Sequence, residues 1–384
     1  MAETSRQRLY LHVGLPKSGS TFLQSVVGGN RAALKEHGFV YPYVQQEGMF
    51  HAAVEMAGSP GQWGLTRAQV DGTFAAMLER GRRQGRTVVV SHEIFGAATP
   101  AQIEAIADQL TDFDVHLVVT VRNIARMFTA QWQERVKNGF DQTFAAFAEQ
   151  QLEKLPPPGD PVMAGFWRGQ NLAWLLDRWR PLAPPEQTHV VVSPSGGADP
   201  EVLWRRFAEA LDFPADAIDV SSVPGSNESL GTPQIALLRE VVGALDGRLE
   251  QPGYSLVAKR WFAQSMLSRV RSRKPVTPAS VAEQLSVVAR GWVELVESGG
   301  YRVHGDLAEL LPAVPPPGTP HPDDVSAEEM LDGLPGVLAE MLLRVRDDRA
   351  LIAELRAANT ALEEQVADLT RPATGWRRWW PGAR

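Results

Sequence analysis

Four short runs of the chain are apolar at nearly every position instead of at alternate ones: residues 9–13, 87–91, 115–121 and 189–193. Strands of that kind are buried on both faces, which predicts a parallel sheet. Between them, residues 21–34, 66–83, 126–137, 144–152 and 166–179 carry helical patterns. Strands alternating with helices predict an α/β fold, a three-layer parallel sheet flanked by helices. Beyond about residue 200 the strand pattern fades, and helical patterns follow at 201–211, 233–245, 256–269 and 281–298. The proline-rich residues 312–320 predict a stiff linker, with a last helical segment after it. From Val345 that segment places Val345, Ile352, Asn359 and Val366 at a positions, and Leu355, Leu362 and Leu369 at d positions, with Asp348 spoiling one d position. This pattern predicts a parallel two-stranded coiled coil, and so a homodimer; one amphipathic helix folded back on its own domain is the alternative. The expected division is an α/β domain over 1–312, a linker over 313–324, a helical segment over 325–371 and a basic, tryptophan-rich tail over 372–384.

Composition narrows the function. The 384 residues are 44% hydrophobic, enough for a sizeable core, and carry a formal net charge of -7. That balance argues against a nucleic-acid partner while leaving room for a local basic pocket. The chain has no cysteine, which excludes disulfides, zinc-thiolate sites and cysteine nucleophiles. No apolar run suits a signal peptide or a membrane span, so a cytoplasmic protein is expected. The tail Trp376-Arg377-Arg378-Trp379-Trp380 suits a peripheral membrane contact, a partner or a disordered end.

The densest candidate chemistry lies between the first apolar run and the first helical pattern, in Gly14-Leu15-Pro16-Lys17-Ser18-Gly19-Ser20-Thr21. Gly14, Gly19 and Thr21 fit the triphosphate-binding pattern G-x-x-x-x-G-K-[ST], but Ser20 stands where its lysine belongs and Lys17 lies three positions earlier. A glycine loop leading into a helix N-terminus forms a cradle of N–H groups for an anion. Lys17 adds a full charge at its mouth, and Ser18, Ser20 and Thr21 add hydroxyl donors. A nucleoside triphosphatase also needs an acid at a neighbouring strand tip. The third apolar run ends in Arg122-Asn123, and the second in Ser91-His92-Glu93, so Glu93 is the only acid at either tip.

Pro16-Lys17-Ser18-Gly19-Ser20-Thr21-Phe22 resembles the phosphosulfate-binding loop of the sulfotransferases that use 3′-phosphoadenosine 5′-phosphosulfate (PAPS). Val119-Thr120-Val121-Arg122-Asn123 resembles the family strand whose terminal arginine binds the 3′-phosphate, a task suited to a forked, permanently charged guanidinium. Arg86-Thr87-Val88-Val89-Val90-Ser91-His92 resembles the strand that delivers the catalytic histidine. Asn227-Glu228-Ser229-Leu230 resembles a segment common in bacterial members, and Gly300-Tyr301-Arg302-Val303-His304-Gly305-Asp306-Leu307 one of actinobacterial members. Together these span about residues 9–312. The family places a serine eight residues after the arginine; here Ala130 stands there, with Thr129, Gln131 or Gln133 as substitutes. The late basic loop of the family has its nearest counterpart in Arg269-Val270-Arg271-Ser272-Arg273-Lys274, without the usual R-K-G signature.

The resemblance implies a P-loop-like fold and sulfuryl transfer from PAPS to a hydroxyl or amine, without a metal. Lys17 would reach the bridging oxygen, Ser20 and Thr21 the 5′-phosphate, and Phe22 would stack on adenine or belong to the core. His92 would be the general base, with Glu93 as its rival. Strand alternation is expected to turn these two to opposite sides, so that only one faces the donor. His51 would line the acceptor pocket or cap a helix. The acceptor, a carbohydrate, a lipid or another small molecule, would be held by variable loops around residues 40–65, 140–165 and 245–275. The rival readings are a P-loop kinase with a displaced lysine, and a PAP-binding relative without activity whose coiled coil is the working part.

Overall fold

The computed structural model describes residues 6–153, 155, 166–196, 198–223 and 229–370. Asn227, Glu228 and the tryptophan-rich tail lie outside the described residues. Six strands form one wholly parallel sheet: β1 (Gln7–His12), β2 (Phe39–Val40), β3 (Thr87–Ser91), β4 (Phe113–Val121), β5 (Thr188–Val192) and β6 (Arg302–His304), in the order β2-β3-β1-β4-β5-β6. The four apolar runs are its four central strands, and their Val88, Val89, Val90, Val118, Val119, Val190 and Val191 are fully buried. Neither edge strand follows from the apolar pattern. β2 has only two residues, and β6 holds one valine between Arg302 and His304. An edge strand hydrogen-bonds to a neighbour on one side only and needs little apolar surface.

Helices cover both faces. The first half of the chain contains α1 (Ser20–Gly29), α2 (Arg31–Glu36), α3 (Gly48–Ala57), α4 (Arg67–Val70), α5 (Thr73–Gln84), α6 (Pro100–Gln109), α7 (Ile124–Lys137), α8 (Phe144–Leu152), α9 (Trp167–Gln170) and α10 (Leu172–Trp179). Then come α11 (Pro200–Ala210), α12 (Thr232–Leu245), a π-helix (Ser255–Met266) and α13 (Ala279–Ser298). Period-2 alternation assigns Tyr10, Val89, Val118 and Val191 to one face, where they pack with Phe22, Leu23, Val26 and Val27 of α1 and Leu203, Trp204 and Phe207 of α11. On the opposite face Val88 meets α5 so closely that a Cβ on Gly81 would lie 2.7 Å from it.

Three predicted helices are interrupted, each at a residue suited to a cap. Residues 66–83 divide into α4 and α5 at Gly72, whose φ of 81° is left-handed. Residues 166–179 divide at Asn171, whose side chain accepts from the Trp174 N–H at 3.2 Å. Residues 21–34 divide at Asn30, whose amide donates to the Val26 carbonyl at 2.8 Å.

The chain divides into two compact units, 1–326 and 327–384. The proline-rich segment therefore belongs to the first unit and is not a free linker. Its anchor is Asp323, whose carboxylate accepts from the Phe144 and Ala145 N–H groups at 2.8 and 2.9 Å and so caps α8. The second unit contains α14 (Ala327–Leu331) and α15 (Leu334–Thr370). Along α15, Val345, Ile352, Leu355, Leu362, Val366 and Leu369 are exposed. Asp348, at the interrupted d position, pairs with Arg344 at 3.0 Å on the same helix. Among the described residues, no helix is long and apolar enough to cross a membrane.

Candidate anion-binding site

The chain leaves β1 toward β2 and β3 and returns across the sheet to β4, so strand order reverses between β1 and β4. Ligands of open α/β sheets bind at such a point, beyond the carboxyl ends of the strands. The loop after β1 and Arg122, which directly follows β4, stand on its two sides.

Three residues of the loop have left-handed backbones: Gly14 (φ 57°), Lys17 (φ 67°) and Gly19 (φ 101°). Two of these positions also require the missing side chain. A Cβ on Gly19 would lie 2.4 Å from Leu203 Cδ2, and one on Gly14 3.0 Å from Glu93 Cβ. The turn is pinned from beneath. Leu15 N–H donates to the Thr120 carbonyl at 2.7 Å, and the Gln170 amide donates to the Pro16 carbonyl at 2.9 Å. The Ser18 hydroxyl, fully buried, points inward and donates to Leu15 O at 2.5 Å. Ser18 is thus a brace of the loop, and its hydroxyl is not a donor to a ligand. Beyond the turn, Leu23 N–H is the first to bond back, to Gly19 O at 3.2 Å. The N–H groups of Ser20, Thr21 and Phe22 precede it and have no helical carbonyl to reach. No acid occupies that first turn, so the helix end is electropositive.

A chain of buried polar groups that the sequence did not single out runs under this loop. His12 Nδ1 lies 2.7 Å from Ser91 Oγ, His12 Nε2 lies 3.1 Å from Thr120 Oγ1, and Thr120 Oγ1 lies 2.6 Å from Ser18 Oγ. Ser18 gives its one hydroxyl proton to Leu15 O, so Thr120 must donate to Ser18. His12 Nε2–H then donates to Thr120, and Nδ1 accepts from Ser91. Each proton has one place, provided that His12 is neutral. Burial pushes His12 down to about 4, with His92 adding to that and Glu93 opposing it.

The α1 N-terminus opens onto a cleft of about 870 Å³ lined by Gly19, Phe22, Arg122, Arg126, Ser195 and Gly196, among others. Phe22 is 9% exposed; it belongs to the core and also lines the cleft, so both of its expected roles are compatible with its place. Arg122 Nη1 donates to Lys17 O at 3.4 Å, while its buried Nε has no partner. Burial pushes Arg122 down to about 10, and Arg126 repels it further. Burial also lowers Arg126. Among the described residues neither guanidinium forms an ion pair, although Asp199, Glu201, Asp216 and Asp219 also line the cleft, and burial disfavours the charge of both.

Lys17 Nζ lies 2.8 Å from Glu134 Oε2 of α7. His92 and Glu93 stand beyond β3, which ends at Ser91, so strand alternation no longer governs them. In place of opposite sides, they are neighbours: His92 Nδ1 and Glu93 Oε2 are 3.8 Å apart. His92 Nδ1 also accepts from the Ile94 N–H at 3.2 Å, and Glu93 Oε2 accepts from Gln24 at 2.9 Å. Burial lowers His92 against the opposing pull of Glu93. Glu93 is raised by burial, but His92, its own backbone N–H, Gln24 and His12 together bring it below the ordinary carboxylate value. The turn that follows is held by Arg178, which donates to Gly96 O at 2.9 Å and to Ala98 O. His92 lines a second cleft, of about 420 Å³, with Gln24, Arg31, Tyr41, Tyr43, Phe50 and Arg260 among its walls.

Several expected site residues lie elsewhere. Thr129 is buried, with its hydroxyl 2.5 Å from that of Thr277, which donates to Ala125 O at 2.7 Å. It ties α7 to the segment before α13 and cannot replace the serine absent at Ala130. His51 lies within α3, bonded to Gln45 at 2.6 Å, and neither caps the helix nor lines the second cleft. Of the basic segment 269–274, Lys274 binds Ser229 O, and Arg273 binds Asp324 O. None of its residues lines either cleft. No family model, curated protein or solved structure matches the chain.

The buried histidine sets a pH dependence. Below its ordinary value near 6.5, an unfolded His12 takes up a proton that the folded protein refuses until about 4. Folding stability therefore falls as pH is lowered through that window, by about 1.4 kcal/mol per pH unit for one such group. His12→Gln, which keeps an acceptor and a donor, should flatten the decline by about one proton. Urea unfolding at pH 7.5, 6 and 5 measures this, and an unchanged slope in the variant would mean that His12 titrates normally in the fold.

Proposed function

We propose that the protein is a sulfotransferase that moves a sulfuryl group from PAPS to an acceptor hydroxyl or amine, on a P-loop-like scaffold. The observation that carries this reading is the pair Arg122 and Arg126. Two largely buried guanidiniums, destabilised by burial and with Arg126 repelling Arg122, line one cleft with Phe22 beside an uncapped helix N-terminus. A ligand that satisfies all of them has an anionic group at the helix end, an aromatic ring against Phe22 and a second anionic group at the arginines. A nucleoside 3′,5′-bisphosphate has that pattern. Ser20, Thr21 and the first-turn N–H groups would hold the 5′-phosphate, and Lys17 the bridging oxygen.

Transfer breaks the bond from sulfur to the bridging oxygen and forms one from sulfur to the acceptor atom. The acceptor loses a proton, and the electron pair of the broken bond leaves on PAP. Lys17 and the helix end stabilise that leaving charge. His92 lines the second cleft and takes the proton at Nε2. In the structure Nδ1 accepts from the Ile94 N–H, so the ring hydrogen is on Nε2. For Nε2 to take the proton the ring must first exchange tautomer, its Nδ1 hydrogen then turning from Ile94 to Glu93, 3.8 Å away. Glu93 is then a positioning residue, and the two carboxyl-end candidates act together. Tyr43, which is exposed, and Phe50 line the second cleft and suit a carbohydrate ring as the acceptor.

Calorimetric titration with PAP should show binding, reduced at least ten-fold by Lys17→Ala and by Arg122→Ala. With labelled PAPS and a panel of glycans, lipids and small alcohols, His92→Asn should abolish transfer and leave PAP affinity within about two-fold. Absence of heat from PAP would remove the reading.

The exposed stripe of α15, with Val345, Ile352 and Val366 alternating with Leu355, Leu362 and Leu369, supports self-association as a parallel coiled coil. Sedimentation equilibrium should give a dimer for the full chain and a monomer for the double variant Leu355→Asp, Leu362→Asp. A monomeric parent protein at micromolar concentration contradicts this.

A further inference from the structure

The neighbourhood of Lys17 contains more positive charge than its own role requires. Glu134 receives three ammonium groups: Lys17 at 2.8 Å and Lys137 at 2.9 Å on Oε2, and Lys259 at 2.7 Å on Oε1. Lys17 comes from the loop, Lys137 and Glu134 from α7, and Lys259 from the π-helix. The side chains are 30%, 13%, 25% and 17% exposed for Lys17, Lys137, Lys259 and Glu134. Lys259 also donates to Asn138 at 2.7 Å. One carboxylate against three ammoniums leaves a formal excess of +2 in a site largely removed from water. Like charges at this spacing repel more strongly than in bulk solvent.

The geometry explains why one carboxylate should hold three lysines. When Lys17 swings to a ligand, Glu134 loses one partner. It retains Lys137 on Oε2 and Lys259 on Oε1, one ammonium for each oxygen. A buried charge stripped of its partners would be costly, and this arrangement avoids that at the moment of transfer. Without Lys137, the same swing would leave Oε2 bare, and Glu134 would keep Lys17.

We propose that Glu134, Lys137 and Lys259 form a counter-ion exchange site: Glu134 holds Lys17 across the mouth of the loop until a bridged dianion of the pyrophosphate or phosphosulfate type replaces it, while Lys137 and Lys259 keep Glu134 compensated. This deepens the sulfotransferase reading by assigning positioning residues for Lys17, and rests on that reading only for the identity of the dianion. Glu134 is raised by burial, yet its three lysines hold it well below the ordinary carboxylate range, so it remains an anion throughout. Burial lowers Lys137, Glu134 opposes that, and Lys17 and Lys259 lower it again. An incoming anion relieves the repulsion.

The test is calorimetric titration of the full-length protein with inorganic pyrophosphate at fixed ionic strength. Glu134→Gln removes the competitor for Lys17 and should tighten binding about ten-fold. Glu134→Asp, which shortens the reach and keeps the charge, should tighten it by less; it serves also if the glutamine variant does not fold. Lys137→Met should weaken binding about ten-fold with Lys17 untouched, and Lys137→Arg should restore it. A role in folding alone would not move neighbouring variants in opposite directions. Binding no tighter in either Glu134 variant, or no pyrophosphate heat in the parent protein, overturns the proposal. Pyrophosphate binding with the expected variant pattern, but no binding of PAP, sinks the sulfotransferase reading and leaves the exchange site standing. Intact PAP binding indifferent to Glu134 and Lys137 does the reverse.

Discussion

The site depends on a loop turned through three left-handed residues directly above a buried hydrogen-bond chain. Ser91, His12 and Thr120 come from three adjacent strands, and the chain they form ends on Ser18 and the Leu15 carbonyl. A left-handed Lys17 is backbone strain of order 1–3 kcal/mol, which persists only where the surroundings over-determine it. They do so here with Leu15 bound to Thr120, Pro16 bound to Gln170 and Ser18 locked inward. The result is a fixed turn whose lysine reaches Glu134 of α7 and whose following helix opens its N-terminus onto the arginine cleft.

Around that turn the cations are of two kinds. Among the described residues Arg122 and Arg126 form no ion pair, and in the sulfotransferase reading they receive the 3′-phosphate. Lys17, Lys137 and Lys259 share a counter-ion and can exchange it. The distinction follows the side chains. A guanidinium packed under a loop keeps its geometry, while an ammonium on four methylenes can travel several ångströms. The sheet supplies the frame for both, because the strand order reverses where the loop and Arg122 face each other.

Much of this was legible in the chain. Nearly continuous apolar runs fix the four central strands, because burial on both faces leaves no room for polar alternation. The loop from Pro16 to Phe22 and the arginine at the end of β4 stand out because glycine, lysine and arginine at those positions have few structural uses. Other parts leave no local trace. His12 reads as one polar residue in a strand, and its role exists only because Ser91 and Thr120 are its neighbours across the sheet. Glu134 and Lys137 look like ordinary charges on a helix, and Lys259 is distant in sequence. β6 is too short and too polar to show. His92 and Glu93 were expected on opposite sides, but the strand stops one residue earlier and the turn brings them together. Thr129 follows the arginine at a plausible spacing, yet helix geometry turns it into the core toward Thr277.

The central claim is that the arginine cleft and the helix end bind two separate anionic groups of one nucleotide. The most direct measurement compares the affinity of PAP with that of adenosine 5′-monophosphate, in the parent protein and in Arg122→Met. If the claim holds, the 3′-phosphate tightens binding by two orders of magnitude or more in the parent, and most of that advantage disappears in the variant. Equal affinities for the two nucleotides in the parent protein, or an advantage unchanged by the loss of Arg122, would contradict it.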